Sequence, residues 1–367
     1  MSSADPVLER FAAGRSFVAA PVPRVVFGPG AVDQLPAEVG RLGWSRVLVL
    51  STPGQRRLGE RVAGLLGDRA AGVHAGAVQH VPVGSIAAAV AALRGADACL
   101  AVGGGSTIGL AKAVARDAGV PYLAVPTTYS GSEMTPVWGV TSDGVKTTGR
   151  SDAVRASTVV YDPQLTTGLP VATSVTSGLN AVAHAAEALY APDATPLTDA
   201  MAASATEAML AALPRLVEDP ADAAARGAAL TAAWLCGCCL AATTMALHHK
   251  LCHTLGGAFG LPHAETHAAL FPYSLAFNLP AAPFAHRTLA AALSSDAPAT
   301  ALWQLARRLG APTALAALGL SAADVPEIVA TVLGSPYANP RPLTGDRLTA
   351  LLEAAVAGVD PAALAAG

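Results

Sequence analysis

Three short apolar runs, each closed by a polar or glycine-rich turn and followed by residues at helical spacing, constrain the fold of this chain more than any other feature. Arg46 to Leu50 (RVLVL) runs into Ser51-Thr52-Pro53-Gly54, Ala98 to Val102 (ACLAV) into Gly103-Gly104-Gly105-Ser106, and Pro121 to Val125 (PYLAV) into Pro126-Thr127-Thr128. Strand, turn and helix at this rhythm predict a parallel sheet with crossover helices. Ligands of such sheets collect at the carboxyl ends of the strands, and all three turns fall there.

After Val159-Val160-Tyr161-Asp162-Pro163 the texture changes: alanine and leucine dominate, β-branched runs vanish, and the spacing from Ser177 onward reads as successive helices. The expectation is a Rossmann-like α/β domain over residues 1–162 followed by an all-α domain over 163–367. The 367 residues, 52% apolar and 13% charged, can bury such cores and exclude a disordered chain. From Leu230 to Leu247 no residue is charged, and the run approaches the ~20 residues of a spanning helix. Its alanine, threonine, glycine and cysteine content, and the His248-His249-Lys250 that follow, favour one buried helix instead.

A net charge of −3 leaves no basic footprint for nucleic acid or an anionic membrane. The five cysteines are odd in number, and Cys236, Cys238, Cys239 and Cys252 crowd one apolar stretch, as free thiols in a reducing compartment would. The opening MSSADPVLERFAAGR mixes acids with bases and lacks the pattern of a secretory signal. A cytoplasmic location is therefore expected.

Gly103-Gly104-Gly105-Ser106 follows a strand and opens a helix that contains Lys112. Glycines let backbone N–H groups approach a pyrophosphate, and the helix N-terminus adds partial positive charge. The same glycines also suit any tight strand-to-helix turn. A second turn, with Thr127, Thr128 and Ser132, offers hydroxyls to phosphate or ribose oxygens, or merely caps a helix. Two such turns on neighbouring strands suggest a dinucleotide across the strand ends. Further on, Asn180 and His184 lie four apart and share a helical face. His248, His249, His253, His263 and His267 fall within twenty residues of a chain that has nine histidines. Histidines concentrated in this way bind metal or transfer protons. His249 and His253 share a face, and Pro262 marks a helix start before His263. His74, His80 and His286 stand alone and suit ordinary surface or core roles.

In order along nearly the whole chain, these segments resemble the iron-containing alcohol dehydrogenase superfamily, and within it the maleylacetate reductase branch. The resemblance rests on RVVFGPG (24–30), GGGS (103–106), PTTYSGSEMTPVWG (126–139), GVKTTGR (144–150), SGLNAVAHAAEALYAP (177–192), HHKLCHTLGGAFGLPHAETHA (248–268) and PYANPRP (336–342). It implies the dehydroquinate synthase-like fold, a homodimer, and a nicotinamide held by Ser51, Thr52, Gly103, Gly104, Gly105, Ser106, Thr127, Thr128 and Ser132. The superfamily's metal ligands, an aspartate and three histidines, match Asn180, His184, His249 and His263.

An asparagine offers only a neutral carbonyl oxygen, so the one charged ligand is missing and no metal is expected. A carbonyl reductase needs a Lewis acid for its alkoxide, whereas reduction of a C=C bond beside a ketone places charge on an enolate that hydrogen bonds can hold. The resemblance implies reduction of maleylacetate, 4-oxohex-2-enedioate, to 3-oxoadipate in aromatic-compound breakdown. Asn180, His184, His249 and His263, with Lys250 or Arg341, would bind the dianion. His253 matches the position beside the nicotinamide and is the first choice of proton donor, with His184, His249 and His263 as further catalytic candidates and His267 a weaker one. Ser51-Thr52, with no acidic residue, stand where the superfamily's NAD-specific members carry one, and Arg56 and Arg57 lie just beyond, so NADPH should be tolerated in addition to NADH, without equal efficiency being expected. Ser151-Asp152-Ala153 and Ala338 depart from the family pattern and bear on which enone dicarboxylate is accepted. The alternatives are a metal-dependent alcohol or aldehyde dehydrogenase, a cyclase or lyase on the same fold, and a non-catalytic ligand-binding homologue.

Overall fold

The structure is a computed structural model, and it describes residues 22–142 and 145–366. The sequence that bears on a secretory signal, and Gly144 of the GVKTTGR segment, lie outside the described residues. Contacts divide the chain into two compact units. Of the described residues, one unit comprises 22–169 and 221–230, and the other 170–220 and 231–366. The division thus falls at Leu169, not at Asp162, and ten residues from the chain's second half belong with the α/β unit.

In the α/β unit the strands and helices run in order β1 (Arg24–Phe27), α1 (Leu35–Arg41), β2 (Val47–Leu50), α2 (Arg56–Leu66), β3 (Ala70–His74), α3 (Val83–Ala92), β4 (Ala98–Gly103), α4 (Gly105–Ala118) and β5 (Tyr122–Pro126). A hairpin of β6 (Val137–Ser142) and β7 (Val145–Arg150) follows, then β8 (Thr158–Tyr161). The large sheet has the order β1-β8-β5-β4-β2-β3, and every neighbouring pair is parallel. β2, β4, β5 and β8 are buried along their whole length, which is why their sequences read as unbroken apolar runs. Val47 and Val49, Leu100 and Val102, and Leu123 and Val125 alternate onto one face, where they pack with Leu35, Val39 and Val62. Burying each such side chain contributes about 1.5–3 kcal/mol.

β2 pairs with β3 on one side and β4 on the other, so the winding reverses there and opens a crevice at the strand ends. Gly103 lies level with Pro126 in the β4–β5 register, which sets the two glycine- and threonine-bearing turns side by side. The β6–β7 hairpin was not anticipated from the sequence.

The second unit contains helices without strands among its described residues: α5 (Val171–Ala188), α6 (Pro196–Glu218), most of α7 (Ala223–Ala242), α8 (Leu247–Ala258), α9 (His263–Asn278), α10 (Pro283–Leu293), α11 (Pro298–Arg308), α12 (Val325–Gly334), α13 (Gly345–Ala357) and α14 (Ala362–Ala366). Thr195 and Thr198 cap α6 reciprocally, each hydroxyl accepting the other residue's N–H.

The uncharged run expected as one helix from Leu230 to Leu247 is broken. α7 ends at Ala242, Thr243 donates its hydroxyl back to the Cys239 carbonyl, and Asp193 accepts the N–H and hydroxyl of Thr244. α7 is long and apolar enough by composition to cross a membrane, with 56% of its most apolar stretch buried.

Candidate active site

The α/β unit offers a cradle for a dinucleotide at the ends of β2, β4 and β5. At Gly103 the backbone has φ +155°, and a side chain would collide with Thr107 and with the Gln55 amide oxygen. A Cβ on Gly104 would stand 2.7 Å from Thr128 Cγ2. The chain therefore keeps a bare backbone at the N-terminus of α4, where unpaired N–H groups favour an anion. The Thr127 N–H donates to Gly103 O at 3.1 Å, and its hydroxyl accepts from Gln55 Nε2 at 2.8 Å, locking the two turns together. The hydroxyls of Ser51, Thr107 and Thr128 are buried without a protein partner. These residues fit a nicotinamide dinucleotide. Thr52, Gly105 and Ser106 are partly or fully exposed at the same strand ends, as are Arg56 and Arg57 at the start of α2.

Ser132 stands apart from this group because its carbonyl and hydroxyl face Lys112. The buried Lys112 ammonium donates to Ser132 O (2.6 Å), Thr135 Oγ1 (2.8 Å) and Val137 O (2.7 Å), with Ser132 Oγ at 3.3 Å. Burial pushes Lys112 down to about 7, opposed by the Glu133 charge. Ser132 and Lys112 thus brace the turn and the foot of the β6–β7 hairpin.

The helical unit holds the imidazoles. Asn180, His184 and Glu187 lie on one face of α5, at spacings of four and three residues. Glu187 was not anticipated, yet it organises the cluster. Fully buried, its Oε2 accepts from His249 Nδ1 at 2.6 Å and from the Ala246 N–H at 2.8 Å, while Oε1 accepts from the His248 N–H at 2.8 Å. α8 has no cap from its own N-terminal side chain, so a carboxylate from α5 satisfies its first donors and meets its positive end. Because Glu187 accepts from Nδ1–H, the His249 Nε2 is the atom left facing the cluster.

His249 lies 5.0 Å from both His184 and His267 and 6.1 Å from His253, ring centre to ring centre. His263, the first residue of α9, lies 4.4 Å from His267. Sequence reasoning ranked His267 last, but His267 touches His184, His248, His249 and His263.

Its proton can be placed by following hydrogen bonds. Ser274 donates its hydroxyl to Phe271 O, so it must accept from His248 Nδ1. His248 Nε2 then accepts from His267 Nδ1 at 2.9 Å, leaving a bare lone pair on His267 Nε2. Burial holds His184, His248 and His267 well below the usual imidazole range, and the neighbouring rings add to the effect. Asn180 Oδ1, His184 Nδ1, His249 Nε2 and His267 Nε2 are all buried without a protein partner.

The donor set Asn180, His184, His249 and His263 carries no anion, and the carboxylate at the cluster is committed to three N–H groups. It therefore does not fit an aspartate-anchored divalent iron site.

The PYANPRP segment supports the cluster from one side. Tyr337 OH lies 3.2 Å from His253 Nδ1, and Lys250 Nζ stands 5.4 Å from the Tyr337 ring centre. Burial raises the Tyr337 hydroxyl above its ordinary range, so it stays protonated. Asn339 exchanges hydrogen bonds with Asn278 and accepts from the Leu247 N–H. Arg341, expected to meet substrate, is instead buried against Phe277, with its guanidinium donating to Phe277 O and Leu364 O. Its charge serves the end of α9, and Lys250 is the cation beside His253.

A model of the iron-containing alcohol dehydrogenase family matches residues 22–163, and the model of that family's C-terminal part matches residues 174–356. The chain is 51% identical over 342 residues to the maleylacetate reductase of Burkholderia cepacia, covering 93% of this chain and 97% of that protein. Among solved structures it is similar to the maleylacetate reductase of Agrobacterium tumefaciens, with a TM-score of 0.91, 48% identity, and 95% and 100% coverage. A putative alcohol dehydrogenase of Ralstonia eutropha JMP134 gives a TM-score of 0.93, 51% identity, and 95% and 100% coverage.

Proposed function

Because the chain belongs to the iron-containing alcohol dehydrogenase family and, within it, to the maleylacetate reductases, we propose that it reduces maleylacetate or a close enone dicarboxylate to 3-oxoadipate, using NADH or NADPH and no metal. The observation that carries this reading is an amide, Asn180, on the same helical face as His184, whose ring burial holds neutral, while Glu187, the carboxylate at the cluster, is tied down by three N–H groups.

The nicotinamide, when bound, supplies the hydride. Gly103, Gly104 and the α4 N-terminus receive its phosphates, and the absence of an acid after β2 leaves room for a 2′-phosphate. His267 turns its Nε2 lone pair, not an N–H, toward the interior of the cluster, and His249 presents its Nε2 there. A carboxylate is therefore held by imidazoles that take up a proton as it arrives, and the Lys250 ammonium adds a fixed positive charge. Glu187 keeps His249 Nδ1 occupied, so exchange with substrate runs through Nε2. His253 holds the proton that the reduction consumes, at Nε2 when the Tyr337 hydroxyl donates to Nδ1. Hydrogen bonds from the protonated rings stabilise the developing enolate.

The same unpartnered lone pairs favour a second reading, in which a bound cation serves an alcohol or aldehyde reductase. A steady-state assay with maleylacetate and reduced nicotinamide, run with and without a chelator and paired with metal analysis, separates the two. Undiminished turnover in metal-free protein supports the first, and turnover that requires about one equivalent of iron or zinc defeats it.

The five cysteines are buried and form no disulfides, which supports a cytoplasmic enzyme. We read it as a homodimer acting on a small dicarboxylate, without nucleic-acid or membrane partners. Light scattering tests the oligomeric state.

A further inference from the structure

Beside the proposed substrate cluster, where the His248 ring lies 4.8 Å from His267 and 5.5 Å from His249, stand two imidazoles and a thiol that the reduction does not use as a unit. His248 and Cys252 are four residues apart on α8, and His267 is the fifth residue of α9. His248 Nε2 lies 2.9 Å from His267 Nδ1 and 3.8 Å from Cys252 Sγ, and the three ligand atoms all fall within 4.8 Å of one another. Each residue is at most 2% exposed.

We infer that His248, Cys252 and His267 form a site for a soft or borderline divalent cation such as Zn²⁺ or Cd²⁺, separate from the Asn180 set, and that filling it inhibits the enzyme.

The chemistry of the donors supports this assignment. One thiolate and two imidazoles make a ligand set that selects thiophilic d¹⁰ ions over Mg²⁺ or Ca²⁺. With Zn–N near ~2.05 Å and Zn–S near ~2.3 Å, tetrahedral ligands stand about 3.4 Å (N···N) and about 3.6 Å (N···S) apart. The present 2.9 and 3.8 Å separations reach those values by shifts of about half an ångström or less. His248 is already oriented as a ligand, because its Nδ1–H is donated to Ser274 Oγ and Nε2 carries the lone pair.

Binding breaks the Cys252 S–H bond and releases its proton to solvent, so burial of the thiol opposes capture at low pH. His267 must also surrender its Nδ1 proton and carry one at Nε2 instead. That change turns its face toward His184, His249 and His263 from acceptor to donor and brings a positive ion behind the ring. Both effects disturb the arrangement that receives the substrate. Cation binding does not depend on the identity of that substrate, and the main readout below is independent of turnover.

The test is to titrate the metal-free protein with Cd²⁺ while recording the ultraviolet thiolate-to-cadmium absorption and the proton release. One equivalent should bind with one thiolate band, one proton should be released, and turnover should fall in parallel. Cys252→Ser should abolish the band and weaken binding at least a hundredfold. His267→Gln should weaken binding at least tenfold while keeping the wild-type far-ultraviolet circular dichroism. Asn180→Ala should leave the band unchanged. Absence of a band in the wild type, its persistence in Cys252→Ser, where Cys236, Cys238 and Cys239 remain, or its loss in Asn180→Ala overturns the assignment.

Discussion

Replacing Glu187 by glutamine keeps the shape of the side chain and changes only what its two ends can do. The carboxylate accepts from His249 Nδ1, Ala246 N–H and His248 N–H, the first two at Oε2 and the third at Oε1. A glutamine has one acceptor end. With its oxygen at the Oε2 position, its NH₂ meets the His248 N–H, donor against donor. Turned over, it orphans two donors instead of one. In the better orientation one buried N–H loses its acceptor, which costs about 1–3 kcal/mol. The charge-assisted bond to His249 also becomes a neutral one of about half the strength, a loss of about 1 kcal/mol. The sum, about 2–4 kcal/mol, corresponds to a fall in Tm of roughly 5–10 °C for a unit of this size. The neutral glutamine oxygen still accepts from His249 Nδ1 but stabilises the positive charge that develops on the ring during proton exchange less well than a carboxylate does, so kcat should fall about 10–100-fold with KM moving less than about threefold. Stopped-flow or steady-state oxidation of the reduced nicotinamide measures the first effect and calorimetry the second. A variant with the expected loss of Tm but unchanged kcat would show that Glu187 only caps α8, and would refute its part in the chemistry.

Gly104→Ala places a Cβ 2.7 Å from Thr128 Cγ2 in the cofactor cradle, so the Kd for NADH should rise at least tenfold, measured by nicotinamide fluorescence, with little change in kcat at saturation. Lys112→Met should loosen the turn at Ser132. Because burial lowers the Lys112 ammonium to about 7, the folded chain binds fewer protons there than the unfolded chain at higher pH. The stability of wild type relative to Lys112→Met should therefore grow as pH rises from 7 toward 9.5, and a flat difference in urea titrations across that range would show that burial does not lower the titration of Lys112. Asn180→Asp restores an anionic ligand and should take up about one equivalent more iron than the wild type by elemental analysis.

The parallel sheet was legible because buried strands leave long apolar runs and their turns must be glycine- and threonine-rich, as Gly103 and Thr127 are. The hairpin was not, since Val137–Ser142 has only one buried residue, Val140, and shows weak apolar alternation. Asn180 and His184 announced the cluster by their spacing, and the same arithmetic extended by three residues reaches Glu187. A lone acid in an alanine-rich helix carries no signal of its own, however, and its partners lie about sixty residues away. Arg341 misled because nearness in sequence to a motif says nothing about direction, and its guanidinium was needed by two backbone carbonyls. The break at residues 243–246 depends on Asp193, which no local pattern around Thr244 reveals.

The asparagine at position 180 and the proposed lack of a metal require each other on electrostatic grounds. An aspartate there, buried and without a cation, would stand as an unpaired charge among imidazoles that burial keeps neutral, an arrangement whose desolvation cost is several kcal/mol. It would also repel a dianionic substrate while Glu187 already supplies one negative charge to the cluster. An amide removes that second charge and keeps an oxygen of the same shape, so Glu187 is the one negative charge that the cluster holds at rest and positive charge arrives only as substrate and protons enter. On this reading the C=C bond, and not the carbonyl, is the group reduced. A carbonyl needs a strong electrophile at its oxygen before hydride arrives, whereas an enone passes its charge to an enolate that protonated imidazoles can hold.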